Sequence, residues 1–445
     1  MTGENSGLIR VIRAGSGELQ TLSEKLGMRG KMDLTDIITS VETILKRVRQ
    51  DGDEAVLHWT RTFDRVSLTA DRLLVSEQEI SRAVDSLDIE LLSTLRQAAE
   101  QIRTFHDAQR SSSTRLETRG GSTIELVSRP LDTVGVYVPG GTAPLPSSVL
   151  MNVLPARSAG VRRVIMCTPP DSDGKVNAAI LAAASIAGVD AIYRIGGAQA
   201  IAAMAYGTAV VPRVDKIVGP GNIYVNTAKR MVYGQVDIDM FAGPSEILVI
   251  ADRLANPAYV AADLLSQAEH DVLASAVLVT DSAELAASVV GELEHRVPLL
   301  PRAEMIRQSL AAYGAIVIVS DLNEAVAFAN ELAPEHLELL TEDPDDLLPR
   351  IQNAGAVFVG PYSPEPLGDY WAGPNHVLPT SGTARFFSPL NTGDFSKKMS
   401  VIRYTRSDLA EAWPAIARLA EAESLQAHAD SARVRFGRDL SGRTM

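Results

Sequence analysis

Residues 134–138 (VGVYV), 161–167 (VRRVIMC), 190–195 (DAIYRI) and 215–218 (DKIV) decide the fold. Each is a short run rich in β-branched residues, and Ala-rich amphipathic stretches separate them. Strands that alternate with helices are joined by right-handed crossovers and build mostly parallel sheets. A second series follows: 246–252 (EILVIAD), 275–281 (SAVLVTD), 315–321 (AIVIVSD) and 354–360 (AGAVFVG).

Two sheets are expected rather than one. The strands of the first series run into Gly/Pro turns, VPGG, IGGAQ, VGPGN and AGPSE, and the second series has fewer of them. Glycine lets a backbone approach a ligand closely, and helix N-termini beside such turns favour phosphate-like groups. A dinucleotide therefore belongs on the first series, although no complete G-x-G-x-x-G fingerprint is present. Outward from this centre, Leu34 to Arg49 and Leu91 to Phe105 carry apolar residues at helical spacing. After about Phe386 the alternation fades, and Ser407 to about Phe436 is helical and Ala-rich. The expected fold is α/β: two Rossmann-like parallel-sheet domains with small helical appendages at the N- and C-termini.

Composition narrows the function. At 445 residues the chain exceeds the size at which one core usually divides. A formal net charge of −13 and the lack of any Lys/Arg run exclude a duplex nucleic-acid binder, which needs a concentrated basic surface. No stretch approaches a bilayer span, and the opening MTGENSGLIR lacks a signal-peptide core, so a cytoplasmic location is expected. The single cysteine, Cys167, ends a strand and is expected in the core, without the adjacent base or helix N-terminus that would activate it.

Seven histidines leave few candidates for chemistry. His58, His106 and His295 lie on helical stretches as structural or surface residues, and four others keep denser polar company. In LLSQAEH, Gln267 and His270 are three apart and would share one helix face within reach of one ion. A Gln/His pair alone more often marks a solvated helix end, because Gln is an uncommon zinc ligand. Glu335 and His336, in LAPEHLEL, are expected at a helix-to-strand turn and suit acid/base work near neutral pH. The bland alternative is an exposed turn. GDYWAGPNHVLPT places Asp369, Tyr370, Asn375 and His376 in a Gly/Pro-rich loop, where Asp369 offers the anionic oxygen a Gln/His site lacks. EAESLQAHAD puts Glu423 and His428 near a C-terminal helix, where by themselves they would pass as surface residues.

Taken together, LLSQAEH, APEHLEL, GDYWAGPNHVLPT and ESLQAH, with YVPGG, GGAQAIA, VGPGN and AGPSE, resemble the histidinol dehydrogenase family from about Val41 to His428. The resemblance implies zinc held by Gln267, His270, Asp369 and His428, and Glu335 and His336 as the acid/base pair. It implies that these zinc-binding residues and His336 also meet the substrate, and that Ser245 and Glu423 help hold it. Tyr137, Gln199 and Asn222 match positions that contact NAD. The implied partner is a second copy of the chain, with His428 completing the other copy's site.

The implied activity is the two-step, NAD-linked oxidation of L-histidinol to L-histidine. Sulfopropanediol dehydrogenases on the same scaffold and a non-catalytic binding homologue are the competing readings. The expected division is 1–30 as an N-terminal appendage, 31–133 with 247–385 as the metal-binding and catalytic domain, 134–246 as the dinucleotide domain, and 386–445 as a C-terminal helical domain.

Overall fold

A computed structural model of the chain describes residues 7–15, 17–29, 34–110, 113–140, 144–240 and 243–437. Gly141 and Ala242, at the margins of two expected ligand turns, lie outside the described residues. Two compact units form, Met1–Arg110 with Leu131–Phe395, and Ser111–Pro130 with Ser396–Met445.

The first unit holds two parallel sheets. One has the strand order Ala191–Arg194, Arg163–Thr168, Thr133–Tyr137, Lys216–Val218, Asp237–Ile238. Side chains alternate across it: Tyr137, Ile165, Cys167 and Ile217 enter one core, while Val134, Val136, Val164 and Met166 enter the other. A sheet buried on both faces is continuously apolar along its strands, which is why these runs stood out.

The helices of residues 31–133 lie on this sheet rather than on the second one, where they were expected. Val41, Ile44, Leu45 and Val48 of the helix Thr35–Asp51 share a core with Ile165 and Cys167. Ala99 and Ile102 of the helix Ile89–Asp107 pack on the opposite face with Val136 and Met166. Helical spacing reveals an apolar stripe but not the sheet that receives it.

The second sheet has the order Arg10–Arg13, Ala315–Ile318, Ser275–Thr280, Glu246–Ala251, His336–Leu340, Ala356–Val359, parallel throughout. Its edge strand comes from the segment 1–30, so that segment is part of the sheet and not an appendage. The helix Gly17–Met28 then buries Leu22 and Leu26 against Leu248 and Val317.

The second unit begins at residue 396 rather than 386, and it includes residues 111–130. It contains the expected helices, Arg406–Ala422 and Gln426–Arg433. It also contains an antiparallel sheet, Ser396–Arg403 against Thr123–Pro130 against Thr114–Glu117, which the fading alternation had concealed. Its buried core is small, centred on Ala417, Ala420 and Ala429. Across its sheet Ile402, Ile124 and Leu116 form one row, 68%, 37% and 63% exposed. Among the described residues of the whole chain, no helix is long and apolar enough to cross a membrane.

Candidate active site

A cleft of about 650 Å³ opens between the two parallel sheets. The first sheet meets it with the C-terminal ends of its strands, through Pro139, Gly219, Gly221 and Asp239. The second sheet meets it with the N-terminal ends of its strands, through Ser245, Glu335 and His336. The usual rule that ligands gather at strand C-termini in open α/β sheets thus holds on one side only.

The helices follow the same polarity. Two on the first-sheet side begin at the cleft, at Ser147 and Ile223, and two long ones on the second-sheet side end near it, at Gln267 and shortly before Glu335. Helix N-termini carry partial positive charge and C-termini partial negative charge. One wall therefore suits an anion and the other a cation.

On the anion-favouring wall, Gly219 has φ +115, and a Cβ there would lie 2.0 Å from the Tyr137 carbonyl oxygen. Only glycine fits this turn. Asn222 follows as the exposed N-cap of the helix Ile223–Val232, accepting from the Tyr224 and Val225 amides at 3.1 Å each. Tyr137 and Gln199 do not line the cleft surface. Both are buried behind the glycine turns, where the Tyr137 hydroxyl accepts from the Gly197 amide at 3.1 Å and the Gln199 amide has no protein partner.

On the opposite wall, Ala333 takes a left-handed turn with φ 50 at the end of the helix Leu322–Leu332, and Pro334 leads into Glu335 and His336. The pair occupies the expected helix-to-strand turn but is buried, 6% and 5% exposed, which disposes of the exposed-turn alternative. Glu335 Oε2 accepts from the Glu246 amide at 2.9 Å. Burial raises the Glu335 carboxyl well above the usual range, and nearby Glu246 adds to this. Burial also lowers the His336 pKa to about 4, so its imidazole is neutral at pH 7. His336 Nδ1 lies 3.0 Å from the Glu246 carbonyl, an acceptor only, so Nδ1 carries the proton and Nε2 is left basic.

Gln267 and His270 line the same cleft, but the helix Pro257–Ala268 ends between them. His270 sits in the turn beyond, its amide donating to the Gln267 carbonyl at 3.2 Å. Asp369 belongs to the last turn of a short helix, Glu365–Tyr370, rather than to an open loop. His376 Nδ1 lies 3.1 Å from its carbonyl oxygen. Ser245 is half-buried at the cleft margin. Glu423 and His428 belong to the second unit, Glu423 as the C-cap of the helix Arg406–Ala422 and His428 on the helix Gln426–Arg433, both exposed.

Groups of the kind that bind metals line this wall. Gln267 is 1% exposed, and its Oε1 has no hydrogen-bond partner, which is costly for a buried acceptor unless another group fills the place. His270 and Asp369 line the same cleft and offer an imidazole nitrogen and a carboxylate oxygen, donor types that zinc accepts.

Comparison with known proteins decides the family. Residues 28–436 match the family model described as histidinol dehydrogenase. The chain belongs to the histidinol dehydrogenase family. The histidinol dehydrogenase of Clostridium acetobutylicum is 49% identical over 96% of this chain and 99% of its own length. That of Heliobacterium mobile is 54% identical over 91% of this chain and 95% of its own. The crystal structure of histidinol dehydrogenase from Elizabethkingia anophelis superposes with a TM-score of 0.91 at 38% identity, covering 97% of this chain and 99% of that one. Histidinol dehydrogenases are oxidoreductases of histidine biosynthesis, so the chain is placed in an enzyme class and the expectation of family and fold holds.

Within this histidinol dehydrogenase cleft, the sequence reading missed Glu365. Its side chain is 2% exposed, its Oε1 lies 3.7 Å from His336 Nε2, and burial raises its pKa to about 8. Ligand atoms of His336, Glu365 and Asp369 all lie within 4.8 Å of one another. The signal was available in EPLGD, where Glu365 and Asp369 are four apart and share a helix face. Behind them Glu338 and Asp263 are buried together, both held toward the protonated form by desolvation.

Proposed function

We propose that this chain oxidises L-histidinol to L-histidine by way of histidinaldehyde, in two successive NAD-linked steps. The observation that carries this reading is one cleft lined by a neutral imidazole, a high-pKa carboxyl and an oxygen/nitrogen donor set, all opposite a glycine turn at helix N-termini. Family membership supplies the substrate class.

In the first step His336 Nε2 takes the hydroxyl proton of the alcohol as a hydride leaves the same carbon. The neutral ring at pH 7 and the Nδ1 bond to the Glu246 carbonyl prepare it for that role. In the second step the ionised Glu335 takes a proton from water as the water oxygen adds to the aldehyde carbon, and the resulting hydrate anion loses its hydride to give the carboxylic acid, which releases a proton to become the carboxylate. No thiol is needed, and Cys167 is fully buried with its pKa pushed up by desolvation. NAD, when bound, accepts the hydride of each step. We assign it to the Gly219–Gly221 side, with Tyr137, Gln199 and Asn222 behind and beside that turn. Zinc, when bound, supplies a fixed positive centre that orients the imidazole and amino nitrogens of the substrate. Gln267, His270, Asp369 and His428 would hold it, while Ser245 and Glu423 contact the substrate.

His428 is assigned to the site of a second copy of the chain in a homodimer. In support, the second unit has little core of its own and an exposed apolar row on its sheet, which a partner would cover. A cytoplasmic setting, with its pool of free NAD, goes with this reading. NADH formation by the purified protein tests the function: two NADH per L-histidinol are expected, with little turnover of sulfopropanediol. Preference for sulfopropanediol would reverse the substrate assignment, and no turnover of any alcohol would make the chain a binder.

A further inference from the structure

Lys229 is among the largest fully buried side chains of the described residues, 1% exposed in the last turn of the helix Ile223–Val232. Its ammonium forms an ion pair with Asp239, whose side chain is 2% exposed. The same Nζ donates to the Gly219 carbonyl at 3.0 Å, and Asp239 Oδ2 accepts from the Gly219 amide at 2.7 Å. One ion pair therefore holds both polar atoms of the residue at which the chain turns into the cleft. Asn226, one turn before Lys229, donates to the Gly221 carbonyl at 3.0 Å and fixes the other end of the turn.

Two consequences follow from the placement. The backbone of Gly219 takes a φ of +115, a conformation other residues rarely adopt, and bonds at both its amide and its carbonyl set that turn. Asp239 also lines the cleft, on the wall where helix N-termini favour an anion. An uncompensated carboxylate there would repel a pyrophosphate, and Lys229 cancels it. A buried pair of this kind gives little net stability compared with apolar replacements, so its bonds to both polar atoms of Gly219 matter more for the shape of that turn than for the strength of the core.

We propose that Lys229 and Asp239 are a positioning pair for the dinucleotide, setting the Gly219–Gly221 turn and neutralising the acid that faces the cofactor's phosphates. The proposal rests on the reading that NAD occupies this wall. The test uses Lys229→Met and the double variant Lys229→Met/Asp239→Asn, which removes both charges at nearly constant shape and keeps an acceptor for the Gly219 amide. NADH binding is followed by fluorescence titration, KM is measured for NAD and for histidinol, and thermal melts report the fold.

Lys229→Met should raise the NADH Kd and the NAD KM by about tenfold or more, with the histidinol KM changed less than about twofold. The double variant should recover the melting temperature yet stay weaker than wild type for NADH, because the Gly219 carbonyl has lost its donor. Wild-type NADH affinity in the folded double variant, or equal shifts in both KM values, would overturn the proposal and leave the pair merely structural. If the wild-type protein itself fails to bind NADH, the assignment of this wall falls along with it. If wild type binds NADH and oxidises histidinol while the variants bind equally well, only the positioning role falls.

Discussion

Replacing Glu335 by Gln should separate the two oxidations. The amide keeps the shape of the side chain, and its oxygen can still accept from the Glu246 amide, which Glu335 Oε2 meets at 2.9 Å. The base for water addition is lost. A positioned general base contributes about 10²–10⁴-fold, so the histidinaldehyde step should slow by that factor, or about 3–5 kcal/mol of barrier. The alcohol step uses His336 and should fall by less than about tenfold. Steady-state assays started separately from histidinol and from histidinaldehyde give the two rates, and NADH yield per histidinol should drop from two toward one as the aldehyde accumulates.

A stability readout accompanies this. The Glu335 carboxyl is raised in the folded state, so its contribution to stability is present below its unfolded value and is lost as pH rises through the folded one. The Gln variant carries no such loss. Its melting temperature should exceed wild type at pH 8, and the gain should vanish near pH 4, where both side chains are neutral. Equal slowing of both half-reactions, with no pH-dependent gain in stability, would refute the assignment of Glu335 as the base for water.

Three further outcomes are expected. Chelation should abolish turnover and added zinc should restore it, and full activity in rigorously metal-free protein would remove zinc from the site. Mixing inactive His428→Ala and Gln267→Ala chains under conditions of proven subunit exchange should return activity, because a shared site leaves one of the two sites in each mixed dimer intact; persistent inactivity would assign His428 to its own chain. Alkylation of the native protein with iodoacetamide should leave Cys167 unmodified and activity unchanged, since the thiol is fully buried and its ionisation suppressed; loss of activity matched to Cys167 labelling would contradict its place in the core.

The parallel sheets were legible because a strand buried on both faces leaves a continuous apolar run, as at 246–252 and 275–281. RVIR at 10–13 has charged ends and only two apolar residues, so its edge-strand role became visible only through its pairing with Ala315–Ile318. SKKMSVIR at 396–403 pairs with Thr123–Pro130, and no local pattern in either segment points to so distant a partner. Glu335 and His336 could be singled out by residue type and turn context. Gln267 gained meaning only beside motifs elsewhere in the chain, because its unpartnered oxygen is a fact of packing. Lys229 and Asp239 carry no local sequence signal, because their role comes from the fold that buries them against Gly219.

The pairing of Arg10–Arg13 with Ala315–Ile318 also sets an order of events during synthesis. The first sheet draws all its strands from the contiguous stretch between Thr133 and Ile238, so it can assemble while the ribosome is still working. The strand Arg10–Arg13 must wait for a neighbour about 300 residues downstream, roughly 15–60 s at typical elongation rates. Throughout that interval it is an unclaimed edge, and the arginines at its two ends are the kind of residue that discourages such an edge from pairing with another nascent chain.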